Sequence, residues 1–141
     1  MPQRFLEELQ TTIEREIPMC AQMGIRVHAY DDRGLTMRLP LAPNRNHQQT
    51  AFAGSLNALC TVAGWGSVFL LTREHGLPSD IVIRRSSIKY LKPVECEQIL
   101  ATCSAVSPQN QQWFVEMLKD KGQAKIDLPV QIENGEGTAV S

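Results

Sequence analysis

NHQQTAFAGSLNALCTVAGWGSVFLLT, residues 46–72, contains no Lys, Arg, Asp or Glu. A run of this length is long enough to cross a bilayer. Asn57, Thr61, Ser67 and the glycines Gly54, Gly64 and Gly66 interrupt it, and it opens on the polar stretch 46–50. Those features suit a helix buried on all sides within its own protein. The expectation is a helix from about Gly54 to His75, stopped by Gly76, with a sheet wrapped around it.

On the N-terminal side, Phe5, Leu6, Leu9, Ile13 and Ile17 recur at helical spacing, and Pro18 ends that amphipathic helix. Ile25, Val27 and Ala29 then alternate with Arg26, His28 and Tyr30. After the turn signal at residues 31–34, Leu35, Met37, Leu39 and Leu41 alternate with Thr36, Arg38 and Pro40. Two alternating runs about a glycine turn predict a β-hairpin. The polar loop 42–49 leads into the uncharged helix.

On the C-terminal side, residues 81–91 are rich in β-branched residues and predict a long strand ended by Pro93. Residues 99–106 predict another strand. Residues 111–121 are ambiguous, with Trp113, Phe114, Met117 and Leu118 at helical spacing. Ile126, Leu128, Val130 and Ile132 alternate, residues 133–137 read as a turn, and a last strand starts at Thr138. The sequence ends within that strand, at Ser141. The order predicts an α+β fold in which an antiparallel sheet covers one central helix.

The 141 residues suit one domain, residues 1–141, with an N-terminal helix. A net charge of −1 and the lack of a basic stripe with interleaved aromatics give no reason to expect a nucleic-acid partner. Cys20, Cys60, Cys96 and Cys103 form no CxxC pair and no zinc-type spacing, so no metal is expected, and Cys60 and Cys103 in apolar surroundings read as buried free thiols. The N-terminus has early acidic residues and no apolar core of a signal peptide. Reduced thiols without a signal predict a cytoplasmic protein with no membrane partner.

The run PNRNHQQTAFAGSLNALCTVAGWG, residues 43–66, resembles the hotdog superfamily. More closely, it is similar to the thioesterase-type domain found behind acetyltransferase domains in bacterial proteins. The later IKYLKPV, residues 88–94, extends the likeness, which covers most of the chain from Gly24 onward. The resemblance implies a hotdog fold, a curved antiparallel sheet wrapped around a long central helix. It also implies a homodimer, or a dimer of dimers, with sites at the dimer interface near the start of that helix. The implied substrate is an acyl thioester, with coenzyme A or acyl carrier protein as part of the substrate and no separate cofactor.

Many such enzymes carry Asn, then His-Gly-Gly, then a carboxylate on the helix. Here Asn46 matches the asparagine, Phe52-Ala53-Gly54 falls on the His-Gly-Gly, and Thr61 falls where the carboxylate would be. Thioester hydrolysis needs a polarised carbonyl and an activated water. A helix N-terminus supplies unpaired N–H groups and a positive dipole end, which makes the Gly54 N–H the candidate oxyanion donor. Gly54 could equally serve tight helix–sheet packing. Asn46 can orient a water but cannot take its proton. His47 can take it, or it is a surface loop residue. Thr61 bonds back to its own helix or positions a water. Thr50, Phe52, Ala53 and Ser55 would line the substrate's approach, with Ser55 a helix-start residue rather than a nucleophile. Arg84 and Arg85, with Lys89 and Lys92 near them, could meet the phosphates of a coenzyme A tail or form a solvated strand edge. If His47 is not the base, Glu74, Asp80 and Glu95 come next. The missing carboxylate leaves open a non-catalytic acyl-thioester-binding or regulatory module on the same fold.

Overall fold

The computed structural model describes residues 3–77 and 79–141. The predicted span of 1–141 therefore includes residues 1, 2 and 78, which lie outside the described residues. Helix α1 (Gln3–Glu16) is followed by α2 (Pro18–Met23), then strands β1 (Arg26–Asp31) and β2 (Gly34–Pro40). A short 3-10 turn (Ala42–Asn44) precedes the long helix α3 (Ala53–Glu74). Strand β3 (Gln98–Ser104), helix α4 (Pro108–Lys121), and strands β4 (Val130–Glu133) and β5 (Thr138–Val140) complete the order.

The five strands form one antiparallel sheet in the order β1-β2-β3-β4-β5. The register places Leu35 opposite Cys103, Met37 opposite Ala101 and Leu39 opposite Ile99. With Ile132 and Val140 these make a fully buried layer. Helix α3 lies against β2, β3 and β4, and α1 packs on it as well. Leu56, Leu59, Val62, Ala63 and Leu70 of α3 are buried in the same core as Leu9 and Ile13 of α1. Burying a leucine such as Leu59, fully removed from solvent, contributes roughly 2 kcal/mol. Gly66 marks the tightest approach. A Cβ there would lie 2.8 Å from Leu35 Cδ2 and 3.3 Å from Leu9 Cδ2, so neither β2 nor α1 leaves room for a side chain. The antiparallel sheet over one long helix is the architecture predicted from the sequence.

Five segments depart from the sequence expectations or resolve what the sequence left open. Pro18 ends α1 but occupies the first turn of α2, where its missing N–H costs nothing. In β1 a bulge at His28 lets Val27 face Met37 while Ala29 faces Thr36. The extra residue reverses the side-chain alternation beyond it. Tyr30, expected on the solvent side, packs on the core instead, and its hydroxyl reaches Glu74 Oε1 at 3.5 Å. The ambiguous 111–121 segment is helix α4, started by Ser107, whose hydroxyl accepts from the Asn110 N–H at 3.2 Å.

The strand predicted over residues 81–91 is not a strand. Lys89 exchanges backbone hydrogen bonds with Ser141, and Leu91 and Lys92 donate to Ala139, but residues 81–88 make no backbone hydrogen bond among the described residues. Lys89 faces the end of the β5 line, and nothing lies opposite the residues before it. Similarly, in the run from Ile126 the strand begins at Val130: Pro129 O accepts from the Ser104 N–H at 3.1 Å, but Pro129 has no N–H to return and β3 reaches no further than Ser104.

Candidate functional site

The start of α3 is held from three sides. The Phe52 N–H donates to Asn44 O at 2.8 Å, and the Ala51 N–H donates to Val94 O at 2.7 Å. The Tyr90 hydroxyl donates to Ala53 O at 3.3 Å. Asn44 is buried and secured by its own amide, which donates to Met23 O and Pro40 O at 2.9 and 2.8 Å. No side chain caps the helix. The Ser55 and Leu56 N–H groups both turn back to Phe52 O, at 3.0 and 3.1 Å. Among the described residues, the N–H groups of Ala53 and Gly54 donate to nothing. Both residues are exposed. Two free N–H groups at the positive end of a 22-residue helix make an anion-seeking pair.

Gly54 is not there to let the sheet approach. The three atoms nearest to a Cβ on it all belong to the ring of Phe52, with Cε2 at 2.5 Å. That ring is 55% exposed and lies over the glycine. Ser55 is buried at 4% exposure and belongs to the helix start, not to a nucleophile's position.

Asn46 organises the loop before the helix. Its Oδ1 accepts from the N–H groups of Gln48 and Thr50 at 2.9 and 3.1 Å. Its Nδ2 donates to Thr50 Oγ1 at 2.8 Å and Ala51 O at 3.4 Å. All its hydrogen-bonding capacity is used within residues 46–51. The water-holding role expected of Asn46 therefore has no free donor or acceptor, and Thr50 is tied into the same loop. His47 stands exposed on this loop, and among the described residues its ring bonds to nothing.

Thr61 bonds back along its helix, but to a side chain. Its Oγ1 donates to Asn57 Oδ1 at 3.4 Å. Asn57 is the polar residue the sequence reading missed. Its position was legible, since Gly54, Asn57 and Thr61 are spaced three and four apart and share a helix face. Asn57 is exposed and Thr61 half-buried, so this face leads from the free N–H pair along α3. Next to it, burial pushes the Cys60 thiol up to about 11.

The remaining candidates are scattered. Arg84 and Arg85 are exposed on the unpaired 81–88 segment, and no ion pair engages them among the described residues. Glu74 sits at the opposite end of α3, about 30 Å along the helix axis from Gly54. Asp80 is exposed beyond it. Glu95 follows Val94, which holds the Ala51 N–H, and lines a shallow hollow of about 210 Å³ with Lys92, Cys96 and Glu136. Of the three alternative carboxylates, Glu95 alone lies on a segment bonded to the helix start.

Residues 6–141 match the family model described as "Putative thioesterase (yiiD_Cterm)". A solved protein of unknown function from Chlorobaculum tepidum is 30% identical, with a TM-score of 0.92 over 99% of this chain and 90% of its own. A solved protein from Shewanella oneidensis, described as a putative thioesterase, is 29% identical, with a TM-score of 0.88 over 99% of this chain and 93% of its own. A probable thioesterase from Pseudomonas aeruginosa, at 19% identity and a TM-score of 0.74 over 99% of this chain and 90% of its own, shares the fold. The chain therefore belongs to this thioesterase family and has its hotdog fold.

Proposed function

We propose that the protein hydrolyses an acyl thioester carried by coenzyme A or acyl carrier protein. The observation that carries this is the free N–H pair of Ala53 and Gly54 at the start of the central helix. The thioester oxygen sits against that pair, which stabilises the charge it gains when water attacks the carbonyl carbon. His47 takes the proton of that water, and the Asn57–Thr61 pair on the adjoining face orients it. The carbon–sulfur bond then breaks, the thiol leaves with the proton, and the acid is released. Phe52 and Ala53 border the acyl group's approach, while Arg84 and Arg85 meet phosphates of the carrier.

The working unit in this proposal is a homodimer, in which the unpaired 81–88 segment joins its copy edge to edge. Val82 and Ile83 are 83% and 49% exposed there, an apolar edge that a two-fold partner would cover. The four free thiols suit a reducing compartment such as the cytoplasm.

A screen of acyl-CoA and acyl-carrier thioesters, read by free thiol release, tests the proposal. Turnover that falls on His47→Ala supports it. One observation favours a second reading, a binding module: α3 carries no carboxylate before Glu74. Tight acyl-CoA binding without hydrolysis of any thioester would decide for that module.

A further inference from the structure

Tyr90 has no part in the chemistry proposed above, yet among the described residues its hydroxyl is the one side-chain group bonded to the first turn of α3. It donates to Ala53 O at 3.3 Å. The Ala53 carbonyl and the Gly54 N–H are two ends of a single peptide group. Resonance couples them, so a hydrogen bond accepted by the oxygen draws electron density from the nitrogen and strengthens the N–H as a donor. The same bond fixes the plane of that peptide, and with it the direction of the N–H. In an α-helix this carbonyl also accepts from the N–H four residues on, so Tyr90 takes its second lone pair.

The backbone around Tyr90 is built to hold the ring there. Lys89 is doubly bonded to Ser141, with N···O distances of 2.8 and 3.1 Å, and the Leu91 N–H donates to Ala139 O at 2.7 Å. Tyr90 itself bridges Val140, which is fully buried. The hydroxyl thus connects the last strand of the sheet to the first peptide of the helix. Tyr90 is 46% exposed, so the pairing of its neighbours with the chain's last residues and the hydroxyl contact itself are what hold the ring over the helix start.

We propose that Tyr90 is a positioning residue that orients and polarises the Gly54 N–H. This rests on the reading of that N–H as the oxyanion donor, but the contact can be tested without activity. Tyr90→Phe keeps the ring and the backbone bonds and removes only the hydroxyl. The Gly54 amide resonance should move upfield, while those of Gly76, Gly122 and Gly135 stay in place. Fluorotyrosine at position 90, a stronger donor, should move it the other way. In the active protein, Tyr90→Phe should lower kcat about tenfold with KM unchanged, less than the loss of a whole oxyanion donor. A Gly54 resonance indifferent to both replacements overturns the proposal, whatever the activity does. So does a shifted resonance in an active enzyme whose kcat is unaltered. A shifted resonance in a parent that hydrolyses nothing upholds the polarising contact and overturns only the thioesterase reading.

Discussion

The Asn46 side chain donates to Thr50 Oγ1 at 2.8 Å while accepting from the Thr50 N–H at 3.1 Å, so one residue closes the loop that presents His47. Replacing Asn46 by Ala leaves four loop groups without their partner. The site is only half-buried, so water recovers part of the loss. The expected cost is about 1–2 kcal/mol in urea denaturation, with activity lost through a displaced His47. Asn46→Asp retains both acceptors and should fall between parent and Ala. An Asn46→Ala variant of unchanged stability and reduced turnover would point instead to direct contact with the reacting water.

His47→Ala should behave in the opposite way. The ring is exposed and, among the described residues, bonds to nothing, so the urea midpoint should not move. Turnover should fall by roughly a hundredfold, the usual scale for one general base. If turnover is unaffected, Glu95→Gln is the next variant to assay, since Glu95 adjoins the residue that holds Ala51.

Gly54→Ala separates packing from catalysis. The helix backbone there takes a side chain, and alanine is favoured over glycine by about 1 kcal/mol in a helix. The nearest obstacle is the exposed Phe52 ring, which can swing aside. Thermal stability should hold or rise slightly, while kcat falls as the added methyl group and the displaced ring crowd the N–H pair. A variant that is less stable and fully active would remove Gly54 from the site. Gly66→Ala, against Leu35 and Leu9, should by contrast destabilise and leave the chemistry alone.

The unpaired segment predicts the assembly. Ile83→Pro removes one N–H from the exposed edge and should shift light scattering from dimer to monomer. Activity should fall with it if the site needs the partner. A parent that is already monomeric at micromolar concentration would refute the edge-to-edge proposal.

Burial pushes the Cys60 thiol from its ordinary 9.0 up to about 11. The folded state therefore favours the neutral thiol. Its contribution to stability is complete below pH 9 and is lost as pH rises towards 11. The loss is at most ~3 kcal/mol, and smaller because the thiol is not wholly enclosed. Tyr30 and Cys103 are shifted the same way by burial, so the useful measurement is a difference. Between pH 8 and 10.5, Cys60→Ala should lose less stability than the parent. Parallel curves would show that the thiol is hydrated.

Much of the fold was legible in the sequence. The uncharged run 46–72 specified a helix on which a sheet packs, though not one buried on all sides, since Asn57 is exposed and Thr61, Trp65 and Val68 are half-buried. Alternation at Leu35, Met37 and Leu39 specified a strand to cover its inner face. Both are local consequences of where apolar side chains fall on a period of 3.6 or 2, which the chain carries without its tertiary structure. Asn57 was legible too, through its spacing from Gly54 and Thr61. The bulge at His28 was not: alternation assigns Tyr30 to solvent, and only pairing with β2 adds the residue that turns it inward. The 81–91 run has a strand's composition, but a strand exists only where a neighbour offers hydrogen bonds, and here that neighbour reaches only Lys89. Asn46 reads as a site residue by position, whereas the structure binds its amide fully into the loop. The Tyr90 contact with Ala53 joins residues far apart in sequence, and no local pattern encodes it. Spacing determined which side chains share a face; only the tertiary structure decided which polar groups are already satisfied, because hydrogen bonding depends on what the fold brings within 3.5 Å.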